Sequence, residues 1–180
     1  MADLNELNGT YVLDTTHTQI GFVARHAMVT KVRGRFADFE GTASTGENLQ
    51  DAKINVVIQA ASVNSGNADR DAHMNTAEFF DTENHPTITF DSTHIAANGE
   101  NLAVTGDLTI KGITKSVTVD FEYMGAAQDP FGNERVGLEG SVVVNRKDWN
   151  IDFDVPLATG GLLVSEKITL EFEISAIKNA

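Results

Sequence analysis

A chain of 180 residues, 41% hydrophobic and 22% charged, suits one soluble domain spanning 1–180 with a single core. Its 13 Lys and Arg stand against 26 Asp and Glu, and the formal charge of −13 repels nucleic-acid phosphate and anionic lipid as a whole while permitting a small local basic site. The lack of cysteine excludes disulfides, thiolate metal sites and cysteine nucleophiles, and no apolar run approaches the ~20 residues of a membrane-spanning helix.

The opening Met1-Ala2-Asp3-Leu4-Asn5-Glu6-Leu7-Asn8 has no basic n-region and no apolar h-region, so no signal peptide is predicted and a cytoplasmic location is expected. Strands are expected near residues 10–14, 18–27 and 31–40. In the second of these, Ile20, Phe22, Ala24, His26 and Met28 occupy alternate positions. His26 therefore shares an apolar face, which fits either a satisfied buried imidazole or a polar contact inside a cavity. Ile54, Val56 and Ile58 keep the same rhythm after a turn at 45–48.

Residues 67–80 break it. Asn67 or Asp69 can cap a helix, acids fill the first turn, and one or two short helical turns are predicted to end before Asp81. Within them Arg70-Asp71-x-His73 fits a local ion pair at the cap, or a cation and an imidazole meeting a polar ligand head at a cavity mouth.

Pro86 opens a strand near 87–93, where a missing N–H is tolerated. Strict alternation returns at Leu102-Val104-Gly106-Leu108-Ile110, Val117-Val119-Phe121-Tyr123, Val136-Leu138-Gly140-Val142-Val144 and Ile168-Leu170-Phe172-Ile174, with turn signals at 98–100, 111–112 and 129–133. Eight to ten half-buried antiparallel strands make an all-β sandwich or barrel. Gly21, Gly34, Gly106 and Gly140 inside strand patterns predict the bends and bulges that curl such a sheet.

Catalytic signatures are absent: no Gly-x-Ser-x-Gly, no His-Glu-x-x-His, no P-loop and no Gly-x-Gly-x-x-Gly. The acidic stretch 148–154 lacks a calcium-loop pattern, and Asp152 and Asp154 read as a solvated pair. His17, His26, His73, His85 and His94 have no metal-ligand spacing. No catalytic residue and no metal are expected. Phe supplies 10 of the 13 aromatic residues. With Met28, Phe36, Phe39, Met74, Phe79, Phe80 and Phe90, the apolar inventory fits either a plain core or the wall of a lipid cavity. Arg146, at the end of an alternating strand, is a further cation of the Arg70 kind.

Taken in order, these residues resemble the YceI-like family of polyisoprenoid-binding proteins over nearly the whole chain. The resemblance is carried by Leu13-Asp14-x-x-His17-Thr18, Ile20-Gly21-Phe22, Arg25-His26-Ala27-Met28, Val32-Arg33-Gly34-Arg35-Phe36 and Phe39-x-Gly41. It continues through Arg70-Asp71-x-His73-Met74, Phe79-Phe80-Asp81, Pro86-x-Ile88-x-Phe90-x-Ser92-Thr93, residues 105–115 and Asn145-Arg146-Lys147-Asp148-Trp149. Departures from the family pattern are Thr18 for Ser, Met74 for Leu, Asn75 for a basic residue and Asn150 for Gly.

The resemblance implies an all-β fold: an elongated antiparallel eight-stranded lipocalin-like β-barrel with a short helical segment. It implies non-catalytic binding or carriage of a long-chain isoprenoid, such as a polyprenyl phosphate, an isoprenoid quinone or a similar amphiphile. No cofactor is required beyond such a bound lipid or quinone. Neither nucleic acid nor stable membrane insertion is expected. Many family members are periplasmic and many look dimeric, so a homodimer is expected.

Under that reading the ligand meets Phe22, His26, Met28, Phe36, Phe39, Arg70, His73, Met74, Phe79, Phe80, Phe90, Leu108, Ile110, Arg146, Trp149 and Phe153. His26, Arg70, His73 and Arg146 supply polar contacts, and Trp149 and Phe153 flank the mouth. Two other readings compete: an enzyme acting on a prenyl lipid with a histidine acid–base, His26 or His73, and a ligand-free stress-response module. The last requires a packed interior, and the enzyme reading requires turnover of a prenyl substrate that His26→Ala abolishes with the fold intact.

Overall fold

The alternating segments pair as antiparallel strands in sequence order. The computed structural model describes Leu4 and residues 7–179; apart from Leu4, Leu7 and Asn8, the N-terminal stretch read above lies outside the described residues. The strands are β1 (Gly9–Leu13), β2 (Gln19–His26), β3 (Thr30–Phe36), β4 (Phe39–Thr45), β5 (Lys53–Gln59), β6 (Val63–Asn64), β7 (Thr87–Asn98), β8 (Asn101–Ile110), β9 (Ile113–Gln128), β10 (Glu134–Asn145) and β11 (Lys167–Lys178), with helix α1 at Ala68–Met74.

These segments make eight staves. β1 and β2 lie on the same edge of β11, Leu13 opposite Ala176 and Gln19 opposite Glu173, so they are one strand interrupted at 14–18. β4 flanks β1 as β3 flanks β2, and β5 and β6 flank β4 and β3 in turn. With β7 to β11 following one another, the meander closes where β1 meets β11. The barrel is closed and antiparallel, with one short helix.

Side chains repair the interruptions. At the first, the Thr18 hydroxyl donates to the Ser175 carbonyl and accepts from the Ser175 amide, both at 3.0 Å, standing in for two ladder bonds. The expected strand at 31–40 breaks at 37–38 and runs on to Thr45. The Ala37 amide donates to Ser62 while the Asp38 carbonyl accepts from Gln59, so the two residues serve different neighbours.

The strand glycines mostly do something other than bend the sheet. Gly106 does stand beside a register shift, between Ser92 and His94. Gly21, Gly34 and Gly140 keep regular register. Their role is space. A Cβ on Gly34 would lie 2.3 Å from Phe22 Cζ, one on Gly106 2.4 Å from Phe90 Cζ, and one on Gly140 2.7 Å from Phe121 Cδ1. Three phenylalanine rings thus occupy the space over inward glycines, which a side chain at those positions would fill.

Asn67 caps α1, its side chain accepting from the Arg70 amide at 2.9 Å, with Asp69 and Asp71 in the first turn as the dipole favours. The expected Arg70–Asp71 ion pair does not form. Asp71 accepts from the amide and hydroxyl of Ser65, and Arg70 donates Nε to the Ser65 hydroxyl and Nη2 to its carbonyl. Both side chains tie α1 to the end of β6.

A charged clamp locks the outer seam where the barrel closes. Arg135 on β10 bridges Asp14 at the β1–β2 interruption and Asp129 in the β9–β10 turn. Hydrogen bonds from Thr16, then Arg135 and His17, hold the Asp14 carboxyl well below its usual 3.8. Asn133 and then Arg135 do the same for Asp129. A depressed carboxyl stabilises the fold in full above its unfolded value and loses that contribution as pH falls below it. The gap in urea midpoint between the wild type and Asp14→Asn is therefore widest at neutral pH and narrows below pH 3.8. A gap constant with pH would show that the clamp contributes nothing.

Candidate functional site

The inward faces leave two apolar cavities stacked along the barrel. The narrower, about 180 Å³, is walled by residues including Leu7, Tyr11, Ile54, Leu102, Val104 and Leu138. The wider, about 380 Å³, lies at the α1 end and is of the size of small-molecule sites. Ile20, Ile58, Leu108, Leu170 and Phe172 line both, forming a waist between two chambers of one lumen.

Most of the expected ligand residues converge on the wider chamber. Phe22, His26, Phe36, Arg70, His73, Met74, Phe79, Phe80, Leu108, Ile110, Arg146, Trp149 and Phe153 all line it, and Phe90 lines the narrower one. Phe22, Phe36 and Phe80 meet as a cluster with ring centroids 5.7–6.4 Å apart. Trp149 is 2% exposed and donates its indole N–H to the Leu108 carbonyl at 3.0 Å. It is a wall residue beside the waist rather than a flank of the mouth. Phe153 does stand at the mouth.

Two expectations are corrected. Met28 is 51% exposed, because β2 ends at His26 and Ala27 and Met28 take left-handed φ values of 50° and 66° in the turn to β3. Phe39 is buried in the core cluster but borders neither chamber. His26 keeps its inward register yet lies exposed at the rim, since the strand runs out beneath it. Asn150, where the family pattern has Gly, holds the left-handed turn itself at φ 57°, a conformation asparagine tolerates.

Titratable groups gather at the α1 rim: Arg25, His26, Arg70, His73 and Arg146. His73 Nε2 is 2.6 Å from Glu78 Oε2, and its ring is edge-on to Phe79 and Phe153, each at 4.9 Å. Arg146 is 4% exposed. It donates Nε to the Ser165 carbonyl, Nη1 to Ile151, and Nη2 to both the Val164 carbonyl and Asp154. Lys147, followed by Arg146, holds the Asp154 carboxyl below its usual range. Arg146 is therefore the strut of the 151–165 loop that borders the mouth. Among the described residues no cluster of three or more His, Asp or Glu could hold a metal ion.

The walls of the narrower chamber, Leu102, Val104, Val136 and Leu138 among them, come from the inward faces that the alternation marks, which the isoprenoid reading takes as the lining of the lumen. Leu163 and Val164 carried no such signal, because they border the mouth from an irregular loop with no periodicity to read.

A closed eight-stave meander with a two-chambered apolar interior and a polar rim defines a lipocalin-like barrel. Residues 11–176 match the YceI-like domain family, and the chain belongs to that family. A UPF0312 protein of Vibrio parahaemolyticus is 37% identical over 172 residues, covering 93% of this chain and 87% of the relative. Protein YceI of Escherichia coli is 38% identical over 140 residues, 77% and 73% of the two chains. Among solved structures, the Campylobacter jejuni YCEI protein superposes with a TM-score of 0.74 at 29% identity, covering 93% of this chain and 97% of that one. A polyisoprenoid binding domain from Saccharophagus degradans shares the fold, with a TM-score of 0.73 at 16% identity and coverage of 94% and 98%.

Proposed function

We propose that this protein binds a long isoprenoid amphiphile without transforming it, the tail in the lumen and the head at the α1 rim. The observation that carries the reading is the pair of apolar chambers joined at one waist. A prenyl chain gains about 0.8 kcal/mol per buried CH₂-sized unit, so ten such units contribute roughly 8 kcal/mol before ordering costs. Affinity then needs no strong polar anchor, and rim groups serve to orient the head.

The rim favours a neutral, carbonyl-bearing head such as a quinone over a phosphate. Arg70 and Arg146 donate to protein oxygens, and His73 faces the Glu78 carboxylate, which repels a second anion. His26, on the chamber side of the rim and with no side-chain hydrogen bond among the described residues, has a ring N–H left for a carbonyl oxygen. Non-catalytic binding is supported by the wall itself, which is aliphatic and aromatic through the waist, with the histidines outside it.

Trp149, the single tryptophan, reports occupancy directly. Titration with an octaprenyl quinone is expected to quench its fluorescence saturably, and octaprenyl phosphate to bind at least ~10-fold more weakly. Solvent extraction of natively purified protein followed by mass spectrometry should release a stoichiometric lipid. A protein that is empty and gives no quenching would sink the reading, and turnover of the quinone abolished by His73→Ala would replace it with the enzymatic one.

A further inference from the structure

The β2–β3 hairpin tip overhangs the mouth, and Met28, Val29 and Lys31 on it border neither chamber. The Ala27 amide donates to the Leu163 carbonyl at 2.8 Å and His26 bridges to Val164, so the tip is fixed against the mouth loop. Around it three apolar side chains face solvent: Met28 at 51%, Val29 at 71% and Val155 at 40% exposure. Arg25 and Lys31 are cross-strand partners directly below, and Arg33 follows on the same outward face of β3. All three are exposed, and none has an ion-pair partner among the described residues.

Unpaired neighbouring cations are unexpected in a chain of net charge −13. We propose that this tip docks the barrel mouth on an anionic lipid surface, the apolar knuckle entering the headgroup layer and Arg25 and Lys31 meeting lipid phosphates. The function it serves rests on the isoprenoid-binding reading, since a chain that moves between a bilayer and the lumen must cross at the mouth. No described helix is long and apolar enough to cross a membrane, so the contact is peripheral and reversible.

The overall negative charge does not prevent this. The acidic outer wall comprises Asp120, Glu122, Glu139, Glu171 and Glu173, and Glu171 pairs with Gly21, five residues along β2 from His26. Five strand residues span about 17 Å, twice the ~8 Å screening length at physiological salt. Arg33 and Arg35 lie towards that far end, in the groove that the acids line, so the cations of the tip itself are Arg25 and Lys31.

Co-sedimentation with vesicles tests the proposal. The wild type is expected to bind phosphatidylglycerol vesicles at low salt, to release them at high salt, and to ignore phosphatidylcholine vesicles. Each cation near the surface is worth about fivefold in binding, so Lys31→Glu, a change of two charges, is expected to weaken it roughly 25-fold. Val29→Asn should weaken it at unchanged charge, because it removes only the apolar contact. Both variants should keep wild-type quenching of Trp149 by a quinone presented in detergent. Wild-type protein that fails to sediment with anionic vesicles, or variants that sediment like the wild type, would overturn the proposal. Failure of the detergent-presented quinone to bind at all sinks the isoprenoid reading instead, and vesicle docking is read independently of it.

Discussion

Tryptophan at position 170 is expected to shorten the chain that the lumen accepts. Leu170 borders both chambers, opposite Phe22 on β2 and Val142 on β10. A larger ring there grows into existing space at the waist and separates the narrower chamber from the mouth. Shutting out about ten carbons removes roughly 8 kcal/mol of gross transfer energy. Ordering and packing losses offset much of that, and a fall of at least ~100-fold in affinity for an octaprenyl quinone remains. A monoprenyl quinone, held in the wider chamber, should bind Leu170→Trp as it binds the wild type. Leu170→Ala is the companion variant: it widens the waist and should keep the long chain. If Leu170→Trp folds normally and both quinones bind unchanged, the tail does not pass the waist.

Replacing Arg146 by Met should cost more stability than any other single change at the rim. The guanidinium is buried and serves three carbonyls, those of Ile151, Val164 and Ser165, in a segment without regular secondary structure. Methionine keeps much of the volume and leaves those acceptors unsatisfied. At about 1–3 kcal/mol per unmet buried group, partly relieved by water, we expect a loss of about 3–5 kcal/mol. In a domain of this size that lowers the melting temperature by roughly 10 °C. Protease cleavage should then concentrate at 151–165, because the loop rather than the barrel loses its support. Arg146→Lys should recover little, since an ammonium cannot reproduce the planar fork. Equal melting of Arg146→Met and wild type would show that the loop is held by other contacts.

Arg146 also marks where reading along the chain stops working. A cation at the end of an alternating strand looks alike whether it awaits a ligand or braces a loop. The difference lies in Ser165 and Val164, some twenty residues further on, which fold back over it. Met28 fails for a related reason: two left-handed residues end β2 before the alternation reaches it. Gly34 and Gly140 show the complementary limit. An isolated glycine in a strand suggests a bulge, but the ring that needs the space belongs to the neighbouring strand and is unknown until register is known.

Period-two alternation determined, without any coordinates, which side chains turn inward on β8 to β11. It also followed from the sequence that these strands are antiparallel and that a capped helical turn interrupts them near residue 70. Those are local properties, because successive side chains on a strand must point to opposite faces. Only the tertiary structure decided that eleven segments make eight staves, that the interior is hollow at two places joined by a waist, and which rim cations are already engaged. Each of these depends on register and closure between residues far apart in the chain, and a void has no residue of its own to leave a mark in the sequence.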